Sequence, residues 1–96
     1  MARQETVDLT AGDWTELTNA NTTTGITFQN LSNQDVWVMG TTGSAPTGAP
    51  AGALRYRGGE GERAQTLADL FPGVASADRL FAYTSANGVQ VTVSHA

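Results

Sequence analysis

GITFQNLSNQDVWVMG, residues 25–40, is the stretch that decides the predicted fold. Ile26 and Phe28 alternate with polar residues, and this period of two is typical of a strand with one buried face. Residues 30–35, NLSNQD, are rich in Asn, Ser and Asp, whose short side chains bond to the local backbone and favour turns. Residues 36–39, VWVM, are apolar on both faces, as in a strand that is covered on both sides. The stretch therefore predicts an antiparallel hairpin whose second strand is the most buried segment of the chain.

Shorter alternating segments lie on both sides of this stretch. They predict strands at residues 5–10, 14–17, 53–57, 79–84 and 89–93. Asn87-Gly88 favours a two-residue turn because both positions tolerate positive φ, so the last two strands are expected to form a second hairpin.

One short helical segment interrupts the strands. The apolar residues at 67, 70 and 71 have the spacing of one helical turn, with Thr66 as a candidate N-cap and Pro72-Gly73 as its end. About seven short strands and one helical turn near residues 66–71 predict a single all-β domain over residues 1–96. The architecture expected for it is a small antiparallel β-sandwich or barrel.

Three segments are predicted to lack regular structure. Residues 40–52, GTTGSAPTGAPAG, hold almost only small residues and Pro, and so predict a loop that is either a binding element or a solvated excursion. Residues 58–62, GGEGE, predict a flexible acidic turn. Residues 1–4 predict a mobile N-terminal arm.

Composition excludes several classes of protein. A domain of 96 residues has a small core, and the absence of cysteine removes disulfides and thiolate metal sites, so association with other chains is the remaining means of stabilisation. The net charge is −4 and the basic residues are all arginine, without a basic stripe, so neither nucleic acid nor an anionic membrane is an expected partner. The opening MARQETVDLT lacks the charged-then-apolar order of a signal peptide, which predicts use without export through the general secretion route.

No set of residues predicts catalysis. His95 is the single histidine and lies next to the last residue, where it is expected to be frayed or packed rather than a general base or a zinc ligand. Glu60 and Glu62 are expected to solvate a glycine-rich turn rather than act as paired acids. Asp13 and Glu16 flank Trp14 as they would at a calcium or sugar site, but they equally fit a turn and an outward strand position. The chain is therefore predicted not to be an enzyme and to bind no cofactor or metal.

Aromatic and arginine residues are the candidates for binding. Trp37 is expected in the core or at an interface, although Trp14 or Trp37 on an exposed sheet face would alternatively make the domain a glycan-binding module. Residues 53–57 point Leu54 and Tyr56 inward and two arginines outward. Arg55 and Arg57, beside Tyr56, are interface candidates because Arg and Tyr are enriched at protein contacts.

The order of the segments resembles a family of small virion structural proteins of tailed bacteriophages. The segments that carry the resemblance are WTEL (14–17), ITFQN (26–30), GALRYRGGEGE (52–62), LADLFPG (67–73) and VTVSHA (91–96). The resemblance implies a capsid decoration (cement) protein that binds the outer surface of the head and bridges subunits of the major capsid protein. A tail or head-fibre component is the alternative within the virion. The resemblance implies no catalytic residues. It also implies that the protein is on the capsid surface of the virion, and in the host cytoplasm during assembly.

Self-association is the last expectation. Four large residues are predicted on the outer faces of alternating strands: Trp37, Met39, Phe81 and Tyr83. A monomer would expose them as an apolar patch larger than soluble monomers usually carry. A homo-oligomer, with a trimer as the expected form, would bury that patch.

Overall fold

The computed structural model describes residues 2–96, within which the chain forms eight strands and one short helix. The elements are β1 (Arg3–Asp8), β2 (Trp14–Glu16), β3 (Ile26–Asn30), β4 (Val36–Thr41), β5 (Leu54–Tyr56), β6 (Gly61–Gln65), α1 (Leu67–Leu70), β7 (Arg79–Tyr83) and β8 (Gln90–His95). They form two antiparallel sheets that pack face to face. The predicted all-β antiparallel sandwich is confirmed.

The strand order gives the sandwich a specific topology. One sheet has the order β1-β8-β3-β6 and the other β2-β7-β4-β5. The first strand pairs with the eighth, the second with the seventh, the third with the sixth and the fourth with the fifth. A long antiparallel ribbon folded over itself in this nested way is a jelly roll, the eight-stranded double Greek key.

Both predicted hairpins are wrong in their pairing, although their strands exist. β3 lies in the first sheet between β8 and β6, whereas β4 lies in the second sheet between β7 and β5. In the same way β7 and β8 belong to different sheets, and Asn87-Gly88 lies in the connection between them. Apart from β4 and β5, consecutive strands of the described chain cross from one sheet to the other. A turn signal shows where the chain reverses but not whether the next strand pairs beside the last one or packs across from it.

A buried asparagine directs the crossing between β3 and β4. Asn30 is 1% exposed, and its Nδ2 donates to the carbonyl oxygens of Gln34 at 2.7 Å and Tyr56 at 3.2 Å. Its Oδ1 accepts from the backbone N–H of Ser32 at 3.0 Å and from the Ser32 hydroxyl at 2.8 Å. Because one side chain bonds both to the turn and to β5 of the other sheet, it ties the β3–β4 connection to the second sheet.

The core lies between the sheets and is made by the inward residue of each alternating pair. Its largest fully buried side chains include Leu17, Ile26, Leu67, Leu80, Val36, Val38, Val89, Val91 and Val93. Phe28 and Tyr56 meet across the layers edge to face, with ring centroids 5.1 Å apart.

The helix α1 closes one end of the sandwich as the sequence predicts. Thr66 is its N-cap, and the Thr66 hydroxyl accepts from the N–H of Asp69 at 3.2 Å. Phe71, the residue after α1, lies against the inward face of β4 at Gly40. A Cβ at position 40 would lie 2.6 Å from the Phe71 ring, so glycine is what allows the ring to pack on the strand backbone.

The strand β6 is absent from the sequence prediction, which has a flexible turn over residues 58–62. Gly61 begins β6, where a Cβ would lie 1.9 Å from the Phe28 carbonyl oxygen, so its glycine serves close strand approach as well as flexibility. Ala64 has φ 51°, and the register with β3 shifts between Ile26 and Phe28. This bulge breaks the alternation by which a strand is predicted.

The chain's N-terminal segment is also more ordered than predicted. Met1 lies outside the described residues, but Arg3 and Gln4 belong to β1, so the predicted arm over residues 1–4 is wrong there. The Arg3 Nη1 donates to the carbonyl oxygens of Glu16 at 3.3 Å and Leu17 at 3.1 Å in the opposite sheet. Arg3 thus closes the edge of the sandwich between β1 and β2.

Candidate binding surface on the second sheet

An aromatic row crosses the outer face of the second sheet. Trp14 on β2, Tyr83 on β7 and Trp37 on β4 are directly opposite one another in the strand register. The Trp14 and Tyr83 ring centroids are 5.3 Å apart, and those of Trp37 and Tyr83 are 6.4 Å apart. All three side chains are half-buried. The row arises because alternate residues on each strand face outward while their neighbours fill the core.

A second row lies beside the first and is better covered. Glu16, Phe81 and Met39 are opposite one another in the register, and Phe81 is only 6% exposed although it faces away from the core. The patch of Trp37, Met39, Phe81 and Tyr83 that the sequence predicts as exposed is therefore not bare in a single chain. Within residues 2–96 the large hydrophobic side chains that stand out are Leu31, 50% exposed, and Leu54, 40% exposed.

The segment after β4 contacts both rows. Gly40 and Thr41 belong to β4, so the Gly/Pro/Ala loop runs over residues 42–53. Near its start the Gly43 N–H donates to the Asp78 carboxylate at 2.9 Å. Further along, the Gly48 carbonyl accepts a hydrogen bond from the Trp14 Nε1–H at 3.2 Å, at the β2 edge of the sheet. On the way back to β5, Gly52 lies near Met39, where an added Cβ would be 3.8 Å from the Met39 side chain. The loop thus reaches β2 and returns to β5, while most of its residues remain exposed.

A cleft of about 630 Å³ opens where the loop meets β2. Trp14 and Tyr83 form its aromatic wall, and residues 45–49 of the loop form the opposite wall. Thr10 and Asp13 contribute polar groups. It is a shallow cleft that is open to solvent over much of its surface.

The predicted interface arginines lie at the edge of the same sheet. Arg55 on β5 is opposite Trp37 in the register and exposed, and its Nη1 is 3.9 Å from the Asp35 carboxylate. Arg57, just after β5, is also exposed. An exposed ion pair at this distance contributes little to stability, so Arg55 remains available to a partner.

Tyr56 is the predicted interface residue that the structure places elsewhere. It is 7% exposed and belongs to the core, and its hydroxyl is 3.1 Å from the Glu62 Oε2. Burial raises the pKa of the Tyr56 hydroxyl above its ordinary value, and the negative charge of Glu62 raises this pKa further. Leu54 lies on the inward face of β5, as predicted. However, β5 is an edge strand, and Leu54 is 40% exposed.

The structure thus brings Trp37, Met39, Phe81, Tyr83 and Arg55 onto one face. Sequence reasoning missed that Trp14 and Tyr83 share a cleft, because this depends on the pairing of β2 with β7. Trp14, Asp13 and Thr15 lie close together in the sequence and carried the available signal for it.

The structure also describes the residues considered for catalytic, metal and membrane-spanning roles. His95 ends β8 and is 6% exposed, packed rather than frayed. Among residues 2–96, no three acidic or histidine side chains are grouped as they would be around a metal ion. In the same described part of the chain, no helix has the length and apolarity needed to cross a membrane. Comparison with models of protein families, with curated proteins and with solved structures found no match.

Proposed function

We propose that the chain is a structural virion protein of a tailed phage that decorates the outer surface of the head. The observation that carries this proposal is the nested pairing of eight strands in two four-stranded sheets. Jelly rolls of this kind are a common architecture of viral capsid proteins, and the resemblance of the segment order to phage virion proteins has the same direction. Since one fold serves many functions, the fold supports the proposal by analogy.

The surface that would meet the major capsid protein is the β5 edge, defined by Leu54, Arg55, Arg57 and the adjoining Trp37. β5 has three residues and ends its sheet, so its outer side is open to a partner. It combines an apolar side chain, an aromatic ring and two exposed arginines. This mixture is typical of protein interfaces, where arginine grips carboxylate and carbonyl groups.

A homo-oligomer, with a trimer as the expected form, remains part of the proposal on a changed basis. The predicted bare aromatic patch no longer supports it, because Trp37, Met39 and Tyr83 are half-buried and Phe81 is buried in a single chain. What supports association is the small cysteine-free core and the uncovered Leu54 at a sheet edge. A repeated contact on a lattice would also strengthen a weak individual contact through avidity.

Binding to heads tests the proposal. Purified protein is mixed with phage heads that lack it, and the bound fraction is measured by co-sedimentation. Saturable binding is expected, and the double variant Arg55→Ala/Arg57→Ala should weaken it by roughly tenfold. Arg63→Ala is the matched control, since Arg63 is an exposed arginine on β6 of the other sheet.

Three outcomes would contradict this account. Binding to tails alone would favour the tail or head-fibre alternative, and absence of binding to either would remove the virion role. An equal loss in Arg63→Ala would show that total charge, not the β5 edge, drives association.

A further inference from the structure

We propose that the cleft between Trp14, Tyr83 and the loop binds a neutral saccharide of about one or two hexose rings. This site goes beyond the decoration role, because it lies on β2 and β7, away from the β5 edge. Three properties of the cleft support this proposal: its aromatic wall, the polar side chains of its lining and its charge.

The aromatic wall offers two ring faces. The Trp14 and Tyr83 rings are inclined at 51° with centroids 5.3 Å apart, so they form a shallow V rather than a stack. Both side chains are half-buried and keep part of their surface open to the cleft. The C–H groups on the apolar face of a pyranose carry partial positive charge, and they are attracted to the negative face of an aromatic ring.

The polar side chains of the cleft lining can bind sugar hydroxyls. Asp13 is exposed, and its backbone N–H is bonded to the Thr10 carbonyl at 3.1 Å, which holds the turn that carries it. The neighbouring Gly12 N–H donates to the Thr84 carbonyl at 2.8 Å and ties the turn to β7. These bonds fix the backbone of the turn, and a carboxylate carried on it can accept hydrogen bonds from two adjacent hydroxyls; such charge-assisted bonds are the stronger kind. Thr10 and Thr47 add hydroxyls that can donate or accept.

Charge selects among sugars. Asp13 is the charged residue among the described residues that line the cleft, and the whole chain has a net charge of −4. A carboxylate or phosphate on the ligand would be repelled by Asp13 with no arginine in the described lining to offset the repulsion. The site is therefore built for neutral sugars and against sialic or uronic acids.

The cleft is also formed before the ligand arrives. The bond from Trp14 Nε1 to the Gly48 carbonyl joins the two walls, and Gly48 has φ 78°, a left-handed conformation that glycine adopts without strain. A preformed cleft loses less conformational entropy on binding than a loop that must first be ordered.

The test uses the full chain and two kinds of probe. An array of neutral and sialylated glycans gives the class of ligand, and titration of the protein with neutral hexose disaccharides up to about 10 mM gives the affinity from tryptophan fluorescence. Neutral glycans are expected to bind and sialylated forms of the same glycans to bind more weakly. Asp13→Ala, an exposed turn variant, should weaken binding by about tenfold or more because it removes a charged acceptor.

The control variant is Asp8→Ala, which removes an exposed carboxylate on β1 of the other sheet and should change the affinity by less than about twofold. Circular dichroism of each variant verifies the fold. The inference is overturned if the folded wild-type chain binds no neutral saccharide, or if it prefers sialylated glycans. It is equally overturned if affinity survives Asp13→Ala, or if Asp8→Ala weakens binding as much as Asp13→Ala does.

Discussion

Gly40→Ala is expected to displace the Phe71 ring from the end of the sandwich. The new Cβ would lie 2.6 Å from one ring carbon, well inside the 3.4 Å at which ordinary van der Waals contact begins. Phe71 is 8% exposed, so its ring has little room to move without leaving the core. Forcing an extra methyl group into packed surroundings costs about 1–3 kcal/mol of unfolding free energy.

A double-mutant cycle isolates this contact. With a cost of about 2 kcal/mol, Gly40→Ala should lower Tm by about 10 °C in a domain of this size. Phe71→Ala should itself cost about 2–4 kcal/mol by opening a cavity. In the Phe71→Ala background Gly40→Ala should cost close to zero, because the ring it strikes is gone, so the coupling energy is about 2 kcal/mol.

Urea unfolding followed by tryptophan fluorescence measures all four members of the cycle. Gly73→Ala is the matched control, since a Cβ at position 73 would meet nothing within 4 Å and the stability should change by less than about 0.5 kcal/mol. Equal costs of Gly40→Ala in both backgrounds would refute the reasoning, and so would a Gly73→Ala cost as large as that of Gly40→Ala.

Two further predictions concern buried polar groups. Asn30→Ala should lower the unfolding free energy measured in urea by about 2–4 kcal/mol, because it leaves the carbonyl groups of the β3–β4 crossing unpaired. The control Asn33→Ala, at an exposed asparagine, should be nearly neutral. Equal effects of the two substitutions would contradict the hydrogen bonds described for Asn30. Because the pKa of Tyr56 is raised, the folded chain holds the hydroxyl proton more tightly than the unfolded chain does. The unfolding free energy is therefore unaffected by this group below the ordinary tyrosine pKa of 10.0. Above that pH it falls by up to about 1.4 kcal/mol per pH unit. Tyr56→Phe should flatten that fall and the control Tyr83→Phe should not; a fall unchanged in Tyr56→Phe would exclude Tyr56 as its source.

The sequence predicted strands and their buried faces well, because a half-buried strand must alternate. Val91 and Val93 in β8 and Val36 and Val38 in β4 face inward as their period of two requires. The helix at residues 67–70 was equally readable, since its cap and its apolar spacing are local. Each of these features depends on residues that are neighbours in the chain.

Strand pairing was not readable for the opposite reason. In a jelly roll β1 pairs with β8, and Val7 lies opposite Val91, so the partners come from the two ends of the chain. Nothing in the alternation of one strand identifies a partner at that distance. A hairpin is the natural inference from a turn between two strands, and here Asn30 and the jelly-roll topology overrule it.

The candidate site could not be predicted from the sequence, because it depends on the path of the loop backbone and on strand pairing. The loop over residues 42–53 reaches Trp14 through the backbone carbonyl of Gly48, and backbone groups leave no mark on composition. Tyr83 joins Trp14 only because β7 pairs with β2. Aromatic residues were therefore recognised as binding candidates singly, while their arrangement in one cleft required the fold.

The most direct test of the proposed function is to locate the protein in the particle. Electron cryomicroscopy of purified virions from the encoding phage, with mass spectrometry of their proteins, determines its presence and position together. The proposal predicts a regularly repeated density on the outer surface of the head that accommodates a domain with principal extents of 31 × 26 × 18 Å, with the β5 edge against the major capsid protein. Absence of the protein from virions, or its presence in tails alone, would contradict the decoration role.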